Sequence, residues 1–587
     1  MDIFSTYRRI PILLLAAIVF TLFLQLGGRG LNEPDEGRYS EMGREMHVTG
    51  DWLVPRLNGV PHYAKPPWIY WSIAISLKIF GIHEWSARLP SALAATITAL
   101  TAFAIGRRMG GERAGWIAAL TLVSSLLFFM IARLITPDMM LTSLTTLALY
   151  CFWRWWISPS CAGRWLFGMY VFLGIAFLDK GLVPIGICFL TIFGFLLLQR
   201  KAREIPKLCL VRGLLLVALI ALPWFLVLCK LNPDLFDFYL VGEVKDRIMS
   251  GRGRTRDWWY HLLWLPGDCW PWTILAGCAI WTNIRWWREK KHLAESAAFL
   301  LAWFLFPLVM FSASSSKLPT YILPLMVPLH LMLGLWLARV WEGKEPLPTW
   351  VRWFTCILLP APTAGILWYF QFRTMQLSSS TWEKAWLMAK MILAVIALGL
   401  LIGIFASWLW RRKGLPAFLW LCGGISFLTF HGAIFSMHVF ETRLGHNSSW
   451  RSISRELEGR DLVGIPISLD LHPSGKKPVF AHPGPRVLMY EFYDRSASFY
   501  LMRNRAEIVP LYAGNSLWEI TRDINAEAKP NRDDLITLLK GPETVYVFTR
   551  PHHHTELRTL TGMPLPLIKS AGGDKDEKRV VLFSNQR

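Results

Sequence analysis

Apolar runs about 16–25 residues long recur from Ile10 to residue 437, near the length that carries a helix across a hydrocarbon core. Roughly thirteen can be drawn, near 10–27, 85–106, 114–133, 138–157, 165–179, 182–199, 210–229, 265–284, 296–312, 319–340, 351–370, 386–410 and 416–437. A soluble fold of 587 residues has no interior for so many runs, and the chain is 53% hydrophobic with 31 Trp. It therefore reads as an α-helical polytopic membrane protein.

The positions of the charges order these runs. A net charge of +21 is compatible with nucleic-acid binding, but the basic residues do not gather into a compact soluble module. They fall instead between the apolar runs, at Arg107-Arg108 and Arg113, Arg200 to Lys207, Arg285 to Lys291, and Arg411 to Lys413. With a cytoplasmic N-terminus, every one of these loops lies inside, as the bias of Lys and Arg toward the cytoplasm requires. An odd number of spans then places residues 441–587 outside. Lys245 to Arg256 breaks the pattern by bringing Arg247, Arg252, Arg254 and Arg256 to the outer face. A role in holding phosphate accounts for them there. Tyr7-Arg8-Arg9 followed by Ile10 to Leu26 resembles a signal peptide; without an Ala-x-Ala site it reads as an uncleaved signal-anchor.

Two stretches between or after the spans are polar enough to hold other structure. Residues 31–84 form a long outer segment, in which Glu41, Arg44, Glu45 and Met46 continue from Asp35-Glu36 at helical spacing and predict a helix along the membrane surface. Pro55, Pro61, Pro66 and Pro67 then disfavour helix, and Trp68 to Phe80 predicts a second juxtamembrane helix. After residue 440 the composition becomes soluble. Strands are expected at 479–480, 487–492, 545–549 and 579–583, with helices at 495–503, 517–528 and 533–540, which together suggest a small α/β domain. All nine Cys lie between Cys151 and Cys422 without a CxxC, so neither a disulfide framework nor a zinc site is indicated. Cys229 and Cys269 could pair, or stand as free thiols. His552-His553-His554 reads as a solvated loop rather than a metal site, and Asn447-Ser448-Ser449 fits a glycosylation sequon common by chance.

Chemistry concentrates at the outer ends of the spans. Carboxylates are costly to bury beside apolar runs, so Asp35, Glu36 and Asp138 are candidates for function. Asp35 could orient an attacking oxygen or take its proton, with Arg38 one helical turn away. The competing reading is that Asp35 and Glu36 cap a helix, and the same alternative stands for Asp138 after Pro137. Lys65, Lys180 and Lys317 could hold a lipid phosphate, or could simply extend their ammonium groups toward the interface. Arg247 and Arg252 suit phosphate better because guanidinium binds it in a bidentate fashion.

Read in order, Asn-Glu-Pro-Asp-Glu-Gly-Arg-Tyr-Ser-Glu (32–41), Gly-Asp-Trp-Leu-Val-Pro-Arg-Leu-Asn-Gly-Val-Pro (50–61) and Lys-Pro-Pro (65–67) resemble the bacterial GT-C glycosyltransferases related to protein mannosyltransferases and to the lipid A aminoarabinose transferases. Thr-Pro-Asp (136–138), Asp-Lys-Gly (179–181), Arg-Asp-Trp-Trp-Tyr (256–260) and Ser-Ser-Lys-Leu-Pro-Thr-Tyr-Ile-Leu-Pro (315–324) continue the likeness through the membrane region, and Ser496 to Leu501 carries it faintly further. The resemblance implies a GT-C fold and an inverting sugar transfer from undecaprenyl phosphate, without a metal or other cofactor, at the periplasmic face of the inner membrane. It implies Asp35 as principal carboxylate, Asp138 as supporting acid and Arg38 as partner to both. Lys65 would contact the donor phosphate with Arg247, Lys180 and Arg252, while Tyr321, Lys317, Glu36 and His62 would line the cavity. Aminoarabinose transferases usually carry Glu before the lysine of Lys-Pro and often Tyr three before it, where this chain has Ala64 and His62.

The function expected is transfer from a polyprenyl-phosphate-linked sugar to lipid A or another envelope glycan, among membrane lipids and with no nucleic acid involved. A protein hydroxyl as acceptor is the alternative enzyme, and it differs in needing a base, since a lipid A phosphate is already anionic. A lipid-linked sugar transporter is the alternative of another class. Transporters place charges near the bilayer midplane on repeated broken helices, whereas these charges sit at span ends and no repeat is apparent.

Overall fold

The computed structural model describes residues 20–32, 35–57, 60–63, 65–158, 162–237, 255–290, 293–360, 381–444, 486–490, 511–512, 539–540, 545–549, 551–571 and 580–584. The signal-anchor before Phe20, Arg247, Arg252, Ala64, the sequon at Asn447 and the elements expected at 479–480, 495–503 and 517–528 lie outside those residues.

Helices follow the apolar runs. They are α1 (Asp35–Thr49), α2 (Trp68–Phe80), α3 (Glu84–Gly110), α4 (Glu112–Val123), α5 (Leu126–Ala132), α6 (Pro137–Ile157), α7 (Ala162–Lys180), α8 (Val183–Leu198) and α9 (Leu210–Leu231). After these come α10 (Tyr260–Asp268), α11 (Thr273–Arg288), α12 (Ala294–Ala313), α13 (Leu323–Trp341), α14 (Thr349–Leu358) and α15 (Thr381–Leu444), the last kinked at Gly414. Among the described residues, five helices are long and apolar enough to cross a membrane, namely 84–110, 210–231, 294–313, 319–341 and 414–434. A sixth is counted if α4 and α5, bent by 69°, form one span. Lipid-facing leucines and valines on α9 stay exposed, while α13 is buried along nearly its whole length. That contrast marks α13 as the centre of the bundle and α9 as its rim.

Three expectations need correction. The run 114–133 is broken after Val123, and 265–284 is broken between Asp268 and Thr273. The two breaks plug into one another: Leu126 N–H donates to the Trp270 carbonyl at 3.0 Å, and Trp272 Nε1 donates to Ser124 Oγ at 3.0 Å. Backbone groups released by each break are thereby partly satisfied inside protein rather than left in hydrocarbon. Second, α1 is not a helix lying on the surface. Glu41, Arg44 and Glu45 are buried, and Arg44 forks onto Glu41 at 2.7 and 2.8 Å. The helix packs on α2 through Gly43, where a Cβ would lie 2.5 Å from Ile73 Cγ2, so only glycine permits this approach. Third, His552-His553-His554 opens a helix, α16 (Pro551–Thr561), in which His554 Nε2 meets the Leu565 carbonyl at 2.9 Å.

The proline-rich stretch carries a short hairpin, β1 (Arg56–Leu57) with β2 (Val60–Pro61). Toward the C-terminus, β3 (Arg486–Tyr490), β4 (Leu511–Tyr512), β5 (Val545–Thr549), β6 (Leu567–Ala571) and β7 (Val580–Ser584) form one sheet in the order β4-β3-β5-β7-β6. β3 runs parallel to β4 and β5, and β7 runs antiparallel to β5 and β6.

Candidate active site

Asp35 is the first residue of α1, and its carboxylate pairs with Arg38 one turn on. Nearly half of the Asp35 side chain is exposed (47%), so the carboxylate is held yet reachable. Arg38 stacks over the Tyr39 ring at 5.1 Å, and its Nε makes no hydrogen bond among the described residues. Burial alone would weaken the guanidinium's hold on its proton; the neighbouring Tyr39, Asp35 and Tyr70 reverse this and strengthen it.

Glu36 does something different. Its carboxylate takes Arg29 at 2.6 and 3.1 Å, Arg88 at 2.8 and 3.0 Å, the Asn32 N–H at 2.9 Å and the Ile135 N–H at 3.4 Å. Burial pushes this carboxyl upward, and the two guanidiniums overcome it and hold it at about 2. Arg88 continues to the carbonyls of Leu26, Arg29 and Gly30, while Arg133 caps those of Thr21, Leu22 and Leu24. Glu36 therefore ties α1 to α3 and to the strand of chain before α6. Both of its oxygens are engaged by these donors.

The tie to Ile135 matters because Asp138 follows three residues later. Pro137 opens α6, and Asp138 sits buried in its first turn, where the helix dipole favours negative charge. Its carboxylate pairs with Lys180, the last residue of α7. Gly181 ends that helix at φ +63°, donating its N–H to the Phe177 carbonyl at 2.8 Å, so the chain turns away just beyond the lysine. The Lys180 ammonium also stands 4.8 Å from the ring centroid of Tyr321, in the short 3-10 turn Pro319–Ile322. Lys65, half-buried before α2, joins the same group, for its charge acts on Asp179 together with those of Lys180 and Asp138.

The structure thus gathers Lys65, Asp138, Lys180 and Tyr321 from four distant stretches, and the Glu36 node holds Asp35 and Arg38 next to the segment that carries Asp138. Lys317 stands apart. It is buried, and its ammonium donates to the carbonyls of Arg256, at 2.9 Å, and of Ser314, so it staples the 255–257 segment to the 314–317 loop. His62 is buried beside the hairpin, with its N–H on the Pro55 carbonyl at 2.8 Å. Sequence reasoning did not name Arg29 or Arg88, and it gave Asp179 no role of its own. The last carried a signal, a second charge beside Lys180 at the end of an apolar run.

The model of the dolichyl-phosphate-mannose-protein mannosyltransferase family matches residues 64–227, a stretch that contains Lys65, Asp138 and Lys180. An undecaprenyl phosphate-α-4-amino-4-deoxy-L-arabinose arabinosyl transferase of Pseudomonas fluorescens Pf-5 is 34% identical over 337 residues, 56% of this chain and 56% of that one. The corresponding enzyme of Serratia proteamaculans is 31% identical over 332 residues, 55% of this chain and 58% of its own. The matches thus span little more than half the length of these relatives. The crystal structure of ArnT from Cupriavidus metallidurans bound to undecaprenyl phosphate superposes with a TM-score of 0.75 at 23% identity, over 98% of this chain and 97% of that one. The likeness to the solved structure is one of fold. That fold holds along almost the whole length of both chains, and among the described residues five helices are long and apolar enough to cross a membrane.

Proposed function

We propose that the protein is an inverting glycosyltransferase. It moves a sugar from undecaprenyl phosphate to an envelope acceptor at the periplasmic face of the inner membrane, and the pairing we favour is 4-amino-4-deoxy-L-arabinose to lipid A. The observation that carries this reading is the meeting of Asp138, Lys180, Lys65 and Tyr321, next to a half-exposed Asp35 already paired with Arg38. The relatives named for undecaprenyl phosphate-aminoarabinose transfer support it. Residues 1–440 would form the catalytic membrane domain and residues 441–587 a periplasmic one.

In this reading the acceptor oxygen attacks the anomeric carbon from the face opposite the donor phosphate. The bond from that carbon to the phosphate oxygen breaks, and the oxygen keeps the electron pair. Lys65 and Lys180, with Arg247 and Arg252, meet the charge that grows there. Asp35 orients the acceptor, or takes its proton if the acceptor is a hydroxyl, and Asp138 keeps Lys180 aimed. The mannosyltransferase family model favours one second reading, a protein hydroxyl as acceptor.

The test is purified protein in detergent with undecaprenyl-phosphate-linked aminoarabinose and lipid A, scored by lipid A mass. Wild type should transfer the sugar, and Asp35→Asn should lose at least about a hundredfold in turnover while still binding donor. Full turnover in Asp35→Asn would remove that carboxylate from the chemistry, and transfer to peptide instead of lipid A would favour the second reading.

A further inference from the structure

Lys317 takes no step in the mechanism above, yet it is buried and its ammonium spans two stretches of chain. It donates to the Arg256 carbonyl at 2.9 Å and to the Ser314 carbonyl. Two backbone contacts run beside this staple: a β-bridge between Thr255 and Ser316, and a hydrogen bond from the Arg256 N–H to the Ser315 carbonyl at 3.4 Å. A buried ammonium needs acceptors in place of its water, so the lysine fixes these two carbonyls relative to each other.

The stapled loop leads straight into the turn that carries Tyr321. Leu318 is extended, Pro319 opens the 3-10 turn, and the Tyr321 N–H returns to the Leu318 carbonyl at 3.1 Å. With φ fixed at Pro319, little backbone freedom separates Lys317 from that turn. The Tyr321 ring packs on Phe311 of α12 at 6.4 Å, and Phe311 meets His261 of α10 at 6.4 Å, so the stretch after Arg256 supports the same ring by a second route. The ring in turn stands 4.8 Å from the Lys180 ammonium, whose partner is Asp138. A cation is held by an aromatic face only within about 6 Å of its centroid, which leaves the turn little room to shift. We propose that Lys317 is a positioning residue for the donor phosphate: by tying 255–257 to the loop before the turn it sets the Tyr321 ring, and the ring sets Lys180. The inference rests on the proposed function, because it takes a polyprenyl phosphate as the ligand. An ammonium meeting the phosphate directly is the competing role, and it would have to give up carbonyls that it now holds.

Full-length protein in detergent, binding undecaprenyl phosphate, gives the test, with undecaprenol as the probe lacking phosphate. Lys317→Met keeps most of the side chain and removes the donors; it should bind undecaprenyl phosphate on the order of tenfold more weakly than wild type and undecaprenol equally well. In turnover the donor KM should rise, whereas a simple loss of folded protein would lower kcat and leave KM unchanged. Tyr321→Ala should weaken phosphate binding similarly, and adding Lys317→Met to it should cost nothing more, since the ring through which the lysine acts is gone. Lys317→Gln takes the place of Lys317→Met should the latter fail to fold. Unchanged binding in the folded Lys317 variant, or losses at Lys317 and Tyr321 that multiply, overturns the proposal. Wild type that does not prefer undecaprenyl phosphate to undecaprenol contradicts the proposed function itself, whereas a kept preference with multiplying losses contradicts this inference alone.

Discussion

Asp35 and Glu36 are adjacent, share a charge and have opposite fates. Asp35 is half-exposed and pairs with Arg38, and Glu36 is enclosed by Arg29 and Arg88. The residue types were legible from the sequence, since carboxylates beside spans stand out against their cost. The partners were not, because Arg88 lies 52 positions from Glu36 and no spacing rule reaches that far. Asp179 was given no role of its own for a related reason: Lys180 beside it drew the attention, and burial cannot be read from a dipeptide. Replacing Glu36 with Gln leaves two guanidiniums uncompensated, Arg88 deeply buried, and should cost about 3–5 kcal/mol of stability. Measured as a lower thermal midpoint, the loss should greatly exceed that of Asp35→Asn. The pH dependence has a definite sign. The Glu36 carboxyl is depressed from 4.5 to about 2, so its contribution is whole above pH 4.5 and drains away as pH falls toward 2. Acid unfolding of the Glu36→Gln variant should lack that component.

At the scale of elements, hydropathy located the helices well and their interruptions poorly. The run Trp68–Phe80 was read with its observed bounds, and residues 84–110, 210–231 and 294–313 match the drawn spans within a few positions. The break at Ser124-Ser125 was hidden because apolar residues flank it on both sides, whereas Pro266, Gly267, Asp268 and Pro271 did mark the one near Trp270. What makes them stable is tertiary, each break receiving hydrogen bonds from the other. The burial of α1 was hidden likewise, since Glu41 and Arg44 look like surface residues until their mutual ion pair is seen. Gly43 tests how far α1 depends on α2. In Gly43→Ala the new methyl group meets Ile73, and the helices must separate, at about 1–3 kcal/mol. The expected result is a lower thermal midpoint together with lower turnover, because Asp35 rides on the same helix. Unaltered stability and turnover would mean the α1–α2 contact does not position the carboxylate.

Across the whole molecule, the placement of Lys and Arg orders the loops, and on the proposed reading the same ordering would put the candidate site and residues 441–587 on the outer side. A reporter enzyme that works only in the periplasm, fused after Arg587, should be active, and one that works only in the cytoplasm should be silent. The reverse result would invert the topology and place Asp35 on the wrong face for a periplasmic acceptor. The central claim is that charges from distant stretches form one site for sugar transfer to an envelope lipid. Mass spectrometry of lipid A tests it most directly, comparing cells that lack the protein with cells supplied with wild type or with Asp35→Asn. The account predicts an aminoarabinose mass increment on lipid A with wild type alone. An increment that persists in cells without the protein, or that Asp35→Asn restores in full, would contradict it.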